Sequence, residues 1–181
     1  PAGPGRADDR PLWINLDRMR PRTQAWLRER SGIDPAMAQA LLDEETRPRH
    51  QEEGRGLLVI LRGVNLNPGA EPDELIAIRI WIEPGRALTL RQFRFQTIAQ
   101  LRRAAARGAA PATPGGLLAA IAAGLAQRIG PSVDNLEDLL DDVEEAMLAS
   151  DGDDPRARGR LAAIRRQAIG LRRHLVPQRQ A

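Results

Sequence analysis

The side chains of this chain that could do chemistry are charged, and they are sorted by sign. Asp134, Glu137, Asp138, Asp141, Asp142, Glu144 and Glu145 follow one another with no basic residue among them. Asp134, Asp138, Asp141 and Glu145 recur at intervals of three or four, so on a helix their carboxylates share one face. Carboxylate oxygens suit hard divalent cations. Asp134, Asp138, Asp141, Asp142 and Glu145 are therefore the candidate cation-attracting set. Adjacent carboxylates on an exposed helix do not form an octahedral cage, and Mg²⁺ gives up its waters reluctantly. Zn²⁺ prefers imidazole or thiolate, which this segment lacks. The set is expected to concentrate cations without chelating one: no tightly bound cofactor, and at most a weakly held divalent ion, Zn²⁺ or Mg²⁺. The competing reading is charge pairing. The next segment carries Arg156, Arg158, Arg160, Arg165, Arg166, Arg172, Arg173 and Arg179 and no acid after Asp154. With a turn centred near Gly152, Asp141 falls opposite Arg165, and Asp134 or Glu137 opposite Arg172. Exposed pairs of that kind contribute about 0–1 kcal/mol each.

A second cluster, Glu44, Arg47 and Arg49, lies where a helix gives way to a strand. It reads either as a contact to a neighbouring subunit or to the long helices, or as a surface turn whose charges satisfy one another. His50 stands near Glu52 and Glu53, and His174 among arginines, a poor setting for a cation; both read best as surface histidines. Arg102, Arg103 and Arg107 form a basic helix face, suited to anionic lipid or simply to solvent. The chain has no Cys, which excludes disulfides, thiolate nucleophiles and thiolate metal sites. It contains no GxxxxGK[ST] loop, no HExxH and no GxSxG, so nothing points to an enzyme.

Composition narrows the rest. Of 181 residues, 42% are hydrophobic and 28% charged, an ordinary globular balance. Every basic residue besides the two histidines is Arg. The pI near 10.9 suggests nucleic acid, but the net charge is only +3 and aromatics are 3%. That argues against a strong positive field and against base stacking, so no nucleic-acid partner is expected. The most apolar stretch, Gly115 to Ala126, is about half of what a bilayer requires. The chain as given is expected not to span a membrane, and its first residues show no signal-peptide pattern.

The elements that must position these groups follow from periodicity and punctuation. Residues 1–11 read as a disordered tail. Leu12 to Leu16 reads as a short strand, and Thr23 to Arg30 as a helix. Asp34-Pro35 supplies an N-cap and a first-turn proline for another helix, closed by Asp43 to Glu45. Thr46 to Arg49 returns to extended chain. Leu57 to Val64 is an apolar run of strand length. Leu75 to Glu83 alternates, with Ile76, Ile78, Ile80 and Ile82 on one face and Leu75, Ala77, Arg79 and Trp81 on the other. Pro84-Gly85 turns the chain back into Ala87 to Leu90. Gln96 to Arg107 is a helix and Gly108 to Pro114 a linker. Then comes a near-heptad seam: Leu118, Ile121, Leu125, Ile129, Val133, Leu136, Leu140, Val143, Met147. Gly130-Pro131 is expected to kink it. After a break at Ser150 to Asp154, a second seam runs through Leu161, Ile164, Ala168, Leu171 and Leu175, with Val176-Pro177 interrupting near its end. Two seams joined by so short a break favour an antiparallel hairpin.

Several of these blocks resemble one known family. Ala40-Leu41-Leu42-Asp43-Glu44-Glu45-Thr46-Arg47-Pro48-Arg49, the strand from Leu58 to Asn65, Arg165-Arg166-Gln167 and the run from Leu171 to Arg179 are similar to the cytoplasmic domain of CorA-family metal-ion transporters, in the ZntB-like, zinc-transporting branch. The likeness runs in order from about Trp13 to Arg179. It implies an α/β fold: an α/β/α sandwich with a mixed, largely antiparallel sheet over 12–113, then a long helical hairpin over 114–181. It further implies stalk and transmembrane helices beyond this chain, a homopentamer in the complete transporter, and a place on the cytoplasmic side of the bacterial inner membrane. The family's Gly-Met-Asn pore motif is absent from this sequence. The implied role is to regulate divalent zinc or magnesium ions or funnel them toward a pore. This chain alone is expected to be monomeric or weakly associated. The alternative is a soluble homo-oligomeric scaffold that uses its hairpin to dock partner helices.

Overall fold

A computed structural model of the protein describes residues 11–44, 47–71, 74–150 and 154–179. The expected tail at residues 1–10, Glu45, Thr46 and the centre of the turn near Gly152 lie outside them. Ten elements follow in order. They are β1 (Leu12–Asp17), α1 (Pro21–Glu29), α2 (Pro35–Leu42), β2 (Arg49–Glu53), β3 (Gly56–Val64), β4 (Leu75–Glu83), β5 (Arg86–Arg91), α3 (Gln96–Ala106), α4 (Pro114–Ala149) and α5 (Pro155–Gln178).

The strands form one sheet in the order β1-β5-β4-β3-β2. Neighbours from β2 to β5 pair antiparallel; tight turns join β2 to β3 and β4 to β5, where Gly54 and Gly85 take φ +58 and +77, and a longer connection joins β3 to β4. β1 pairs parallel with β5, and this makes the sheet mixed. The alternation read in β4 is realised. Ile76, Ile78 and Ile80 are buried with Val59, Leu61, Phe95, Ile98, Leu117, Ile121 and Leu125 beneath α3 and α4. Trp81 joins Leu58, Ile60, Leu88 and Leu90 beneath α1 and α2. The molecule is thus an α/β/α sandwich extended by long helices.

β2 is a strand that the sequence reading did not assign; only its first residue, Arg49, falls in the extended chain expected over Thr46 to Arg49. Its residues, Arg-His-Gln-Glu-Glu, carry no apolar alternation because it is an edge strand. A charged edge discourages pairing with other chains. Asp34 caps α2 as expected, its Oδ1 accepting from the backbone N–H of Ala36 at 2.8 Å and of Met37 at 3.3 Å. Thr113 caps α4 through Oγ1, which accepts from Gly116 N–H at 3.0 Å.

Helix continues through Pro131, where a kink was expected, and through Pro177, where an interruption was expected and α5 ends one residue later at Gln178. Packing accounts for this at Pro131, where Ile129, Val133 and Leu136 are held against Leu171 and Leu175 and against Val64 and Leu75 of the sheet. Nearer the tip, Val143, Ala157 and Ile164 cluster with Leu136, Leu139 and Met147. The second seam shifts accordingly. Ala157, Ile164 and Leu171 are buried, whereas Leu161 and Ala168 are exposed. The 36-residue α4 is long and apolar enough to meet the criterion for a membrane span by length and composition. Here its apolar residues Leu117, Ile121 and Leu125 are spent on the sheet.

Candidate functional site

α4 carries the acids where its periodicity directs them. Val143 is buried in the hairpin seam. A 3.6-residue period places Asp134, Asp138, Asp141 and Glu145 roughly 180° around the helix from it. These four, with Glu137, Asp142 and Glu144, are all exposed. Val143 and Leu136 of α4 share one apolar cluster with Ala157 and Ile164 of α5, which holds the two arms together. An ion pair bridges them from Arg160 to Asp142 at 3.4 Å, with side chains 49% and 66% exposed. The pairings anticipated from a turn at Gly152 do not form. Asp141 makes no ion pair with Arg165, nor Asp134 or Glu137 with Arg172, because the acids point away from α5. Among the described residues, no three His, Cys, Asp or Glu side chains converge where a metal ion could be held. The face is a field of separate carboxylates.

The second expected cluster lies at the end of α2. Glu44 and Arg47 are exposed; Arg49 is half-buried and opens β2 opposite Ile60. Behind them the structure reveals a group that the sequence reading missed. Arg79 of β4 is 2% exposed and Arg18, just after β1, is 7% exposed. Both reach the last carbonyls of α2: Arg18 Nη1 donates to Leu42 O at 3.1 Å, and Arg79 Nη2 to Asp43 O at 2.6 Å. Arg18 Nη2 also donates to Gln92 Oε1 at 2.9 Å. Cationic donors suit a helix C-terminus, where carbonyls lack partners and the dipole is negative. Neither guanidinium has an ion-pair partner among the described residues, and both Nε atoms are buried without a hydrogen bond. Burial, with Arg18 and Arg62 nearby, lowers the Arg79 pKa to about 10, against the opposing pull of Asp43. Arg62 is also lowered, first by burial and then by Arg173. The one available signal was an arginine in the middle of a strand with helices on both sheet faces.

His50 is exposed on β2. His174 is half-buried on α5, its pKa held below the usual histidine value by burial and then by Arg62, Arg173 and Arg47. Nearby, Gln178 Oε1 accepts the backbone N–H of Arg62 at 2.6 Å, covering the edge of β3 beyond the end of β2. Arg102, Arg103 and Arg107 are exposed on and just after α3.

This architecture, a mixed five-stranded sheet between helices with a long C-terminal hairpin, defines a class that comparison with known proteins identifies. The family described as CorA-like Mg2+ transporter protein matches residues 8–181. The chain belongs to that family. It is 38% identical over 169 residues to the divalent cation transporter CmaX of Pseudomonas aeruginosa, a match covering 93% of this chain and 51% of that protein. It is 33% identical over 171 residues to the zinc transport protein ZntB of Pectobacterium carotovorum, covering 94% and 51%. Its structure superposes on the ZntB cytoplasmic domain from Vibrio parahaemolyticus with a TM-score of 0.80 at 28% identity, covering 93% of this chain and 66% of that one. The chain spans about half the length of the two relatives matched by sequence.

Proposed function

We propose that this chain is the cytoplasmic-side portion of a divalent metal cation transporter whose cargo is zinc or magnesium. Its acidic α4 face raises the local cation concentration and funnels ions toward a pore formed elsewhere in the protein. The observation that carries the reading is similarity along nearly the whole chain to proteins named for divalent-cation and zinc transport. The funnel role rests on the exposed carboxylates Asp134, Asp138, Asp141, Asp142 and Glu145, since a surface of one sign concentrates counter-ions without binding them individually. Transmembrane helices of the same protein are the first partner, and a homopentamer is the assembly. Glu44, Arg47 and Arg49 would then contact a neighbouring subunit or the long helices.

Two measurements test this. Calorimetric titration of the chain with Zn²⁺ and Mg²⁺ at physiological salt should give weak, salt-sensitive binding, on the order of millimolar, the range of low-affinity oxygen-ligand modules. Submicromolar affinity, lost with Asp138→Asn and Asp141→Asn together, would replace the funnel with a chelating site. The full-length protein in liposomes should carry Zn²⁺ or Mg²⁺, and the same double substitution should slow flux at low ionic strength more than at high. Absence of flux for either ion would overturn the transport reading itself.

A further inference from the structure

We propose that the cleft bounded by α4, α5 and the chain leaving β3 is a binding site for a neutral adenine nucleoside. This rests on the lining of the cleft and does not depend on the transport reading.

The cleft measures about 460 Å³, an ordinary volume for a small-molecule site. Val64, Leu136 and Leu171 line it, members of the cluster that fastens the hairpin to the sheet, and Pro131 adds its ring. They offer a flat heterocycle an aliphatic bed and leave its edge to polar groups. Those polar groups lack partners. Pro131 lies inside α4 and has no N–H, so the carbonyl of Gln127 loses the donor that would close its helical hydrogen bond. Gln127 and Pro131 both line the cleft, which places this free acceptor in its wall. Asn65, also in the lining, is 8% exposed. Its Oδ1 accepts from the backbone and side-chain nitrogens of Asn67, while its own Nδ2 donates to nothing among the described residues. Ser132, Asn135 and Gln167 line the cleft as well, and among the described residues their side chains make no hydrogen bond. An unpaired carbonyl and a buried amide with an idle donor ask for a partner.

The types of these groups select the ligand. A carboxamide holds a donor and an acceptor side by side, which matches the amino group and ring nitrogen on one edge of adenine. The Gln127 carbonyl only accepts, so it suits that amino group; Asn65 Nδ2 only donates, so it suits a ring nitrogen. Guanine and phosphate are read best by a guanidinium. Among the described residues Arg128 is the one basic group in the lining, and its Nη1 and Nη2 already donate to Gly124 O and Gln100 Oε1, each at 2.7 Å. Glu71, exposed in the same lining, accepts from hydroxyls such as those of a ribose and repels a phosphate. A nucleoside therefore fits where a nucleotide does not.

The test is calorimetric titration of the whole chain with adenosine, guanosine and adenosine monophosphate. Adenosine should bind with a Kd on the order of 100 μM, the affinity that a ligand of about 20 heavy atoms reaches at ordinary efficiency. Guanosine and the monophosphate should bind roughly tenfold more weakly or worse. Pro131→Ala returns an N–H to the helix and so pairs the Gln127 carbonyl internally. Because alanine also favours helix, its melting temperature should hold or rise while adenosine affinity falls roughly tenfold, a split that damage to the fold would not produce. Asn135→Ala with Gln167→Ala should weaken binding in the same direction, with circular dichroism verifying that the variant folds. The proposal is overturned if adenosine gives no saturable heat at concentrations far above the expected Kd. It is equally overturned if guanosine or the monophosphate binds as tightly as adenosine, or if Pro131→Ala binds adenosine as the parent does.

Discussion

At the scale of single residues, Arg79 and Arg18 show how this fold treats buried charge. Each guanidinium is removed from water, and each is met by carbonyl oxygens with no carboxylate at ion-pair distance among the described residues. A buried charge without a counter-charge adds little stability beyond its hydrogen bonds and the volume that it fills. Arg79→Met keeps most of the volume and removes the charge, so it should change stability by no more than about 1 kcal/mol. Arg79→Ala also leaves a cavity and should cost about 2–4 kcal/mol. Urea unfolding of the two variants checks this; a methionine variant as damaged as the alanine one would show that the charge itself matters.

His174 is shifted by burial and by a different set of arginines, Arg62, Arg173 and Arg47. Its folded-state pKa lies below its ordinary value of 6.5, so between the two the unfolded chain binds more protons. Stability on this account is intact above about pH 6.5 and declines as pH falls through the folded value. The melting temperature of the parent should therefore fall more steeply between about pH 7 and pH 5 than that of His174→Gln. Parallel slopes for the two proteins would rule the effect out.

At the scale of elements, the tight contact is where α4 meets α3 and the sheet. A Cβ added at Gly124 would lie 2.5 Å from Cγ2 of Thr97, and one at Gly63 would lie 2.7 Å from Cδ2 of Leu125. These glycines let the helix approach closely. Ala is the better helix former by about 1 kcal/mol, yet Thr97 is buried and cannot move aside. Gly124→Ala should therefore destabilise by about 1–3 kcal/mol, and Thr97→Ser, which removes the clashing methyl, should restore most of it. Gly159 on α5 has open space around it, so Gly159→Ala should stabilise by about 0.5–1 kcal/mol. Thermal unfolding of the three variants separates crowding from propensity, and equal effects at Gly124 and Gly159 would refute the crowding. β2 makes the complementary point. A strand held only by Arg49–Glu53 pairing with Gly56–Ile60 of β3 needs no apolar face, so periodicity had nothing to report there.

At the scale of the whole molecule, the hairpin divides its labour along its length. Near the sheet, Ile129, Leu171 and Leu175 anchor it against Val64 and Leu75; nearer the tip Val143, Ala157 and Ile164 hold it with Leu136, Leu139 and Met147, and it turns its charges outward. The proposed cation field depends on that outward display.

The order and type of most elements were determined by the sequence alone. Alternation in Leu75–Glu83, the Asp34-Pro35 start, the Pro84-Gly85 turn and the paired helical seams are local signals that need no distant partner. Family resemblance was likewise legible in contiguous blocks such as Ala40 to Arg49 and Leu171 to Arg179. Contacts between residues far apart in the chain were decided only by the tertiary structure. Packing against Leu171, Leu175 and the end of the sheet kept α4 helical through Pro131. The burial of Arg18 and Arg79 together arose because the end of β1 and the middle of β4, two strands apart in the sheet, both lie within reach of the end of α2. The packing of Val143 and Leu136 with Ala157 and Ile164 in the hairpin turned the acids away from Arg165 and Arg172. A helix's own period says which residues share a face; only its neighbours decide which face is left to the solvent.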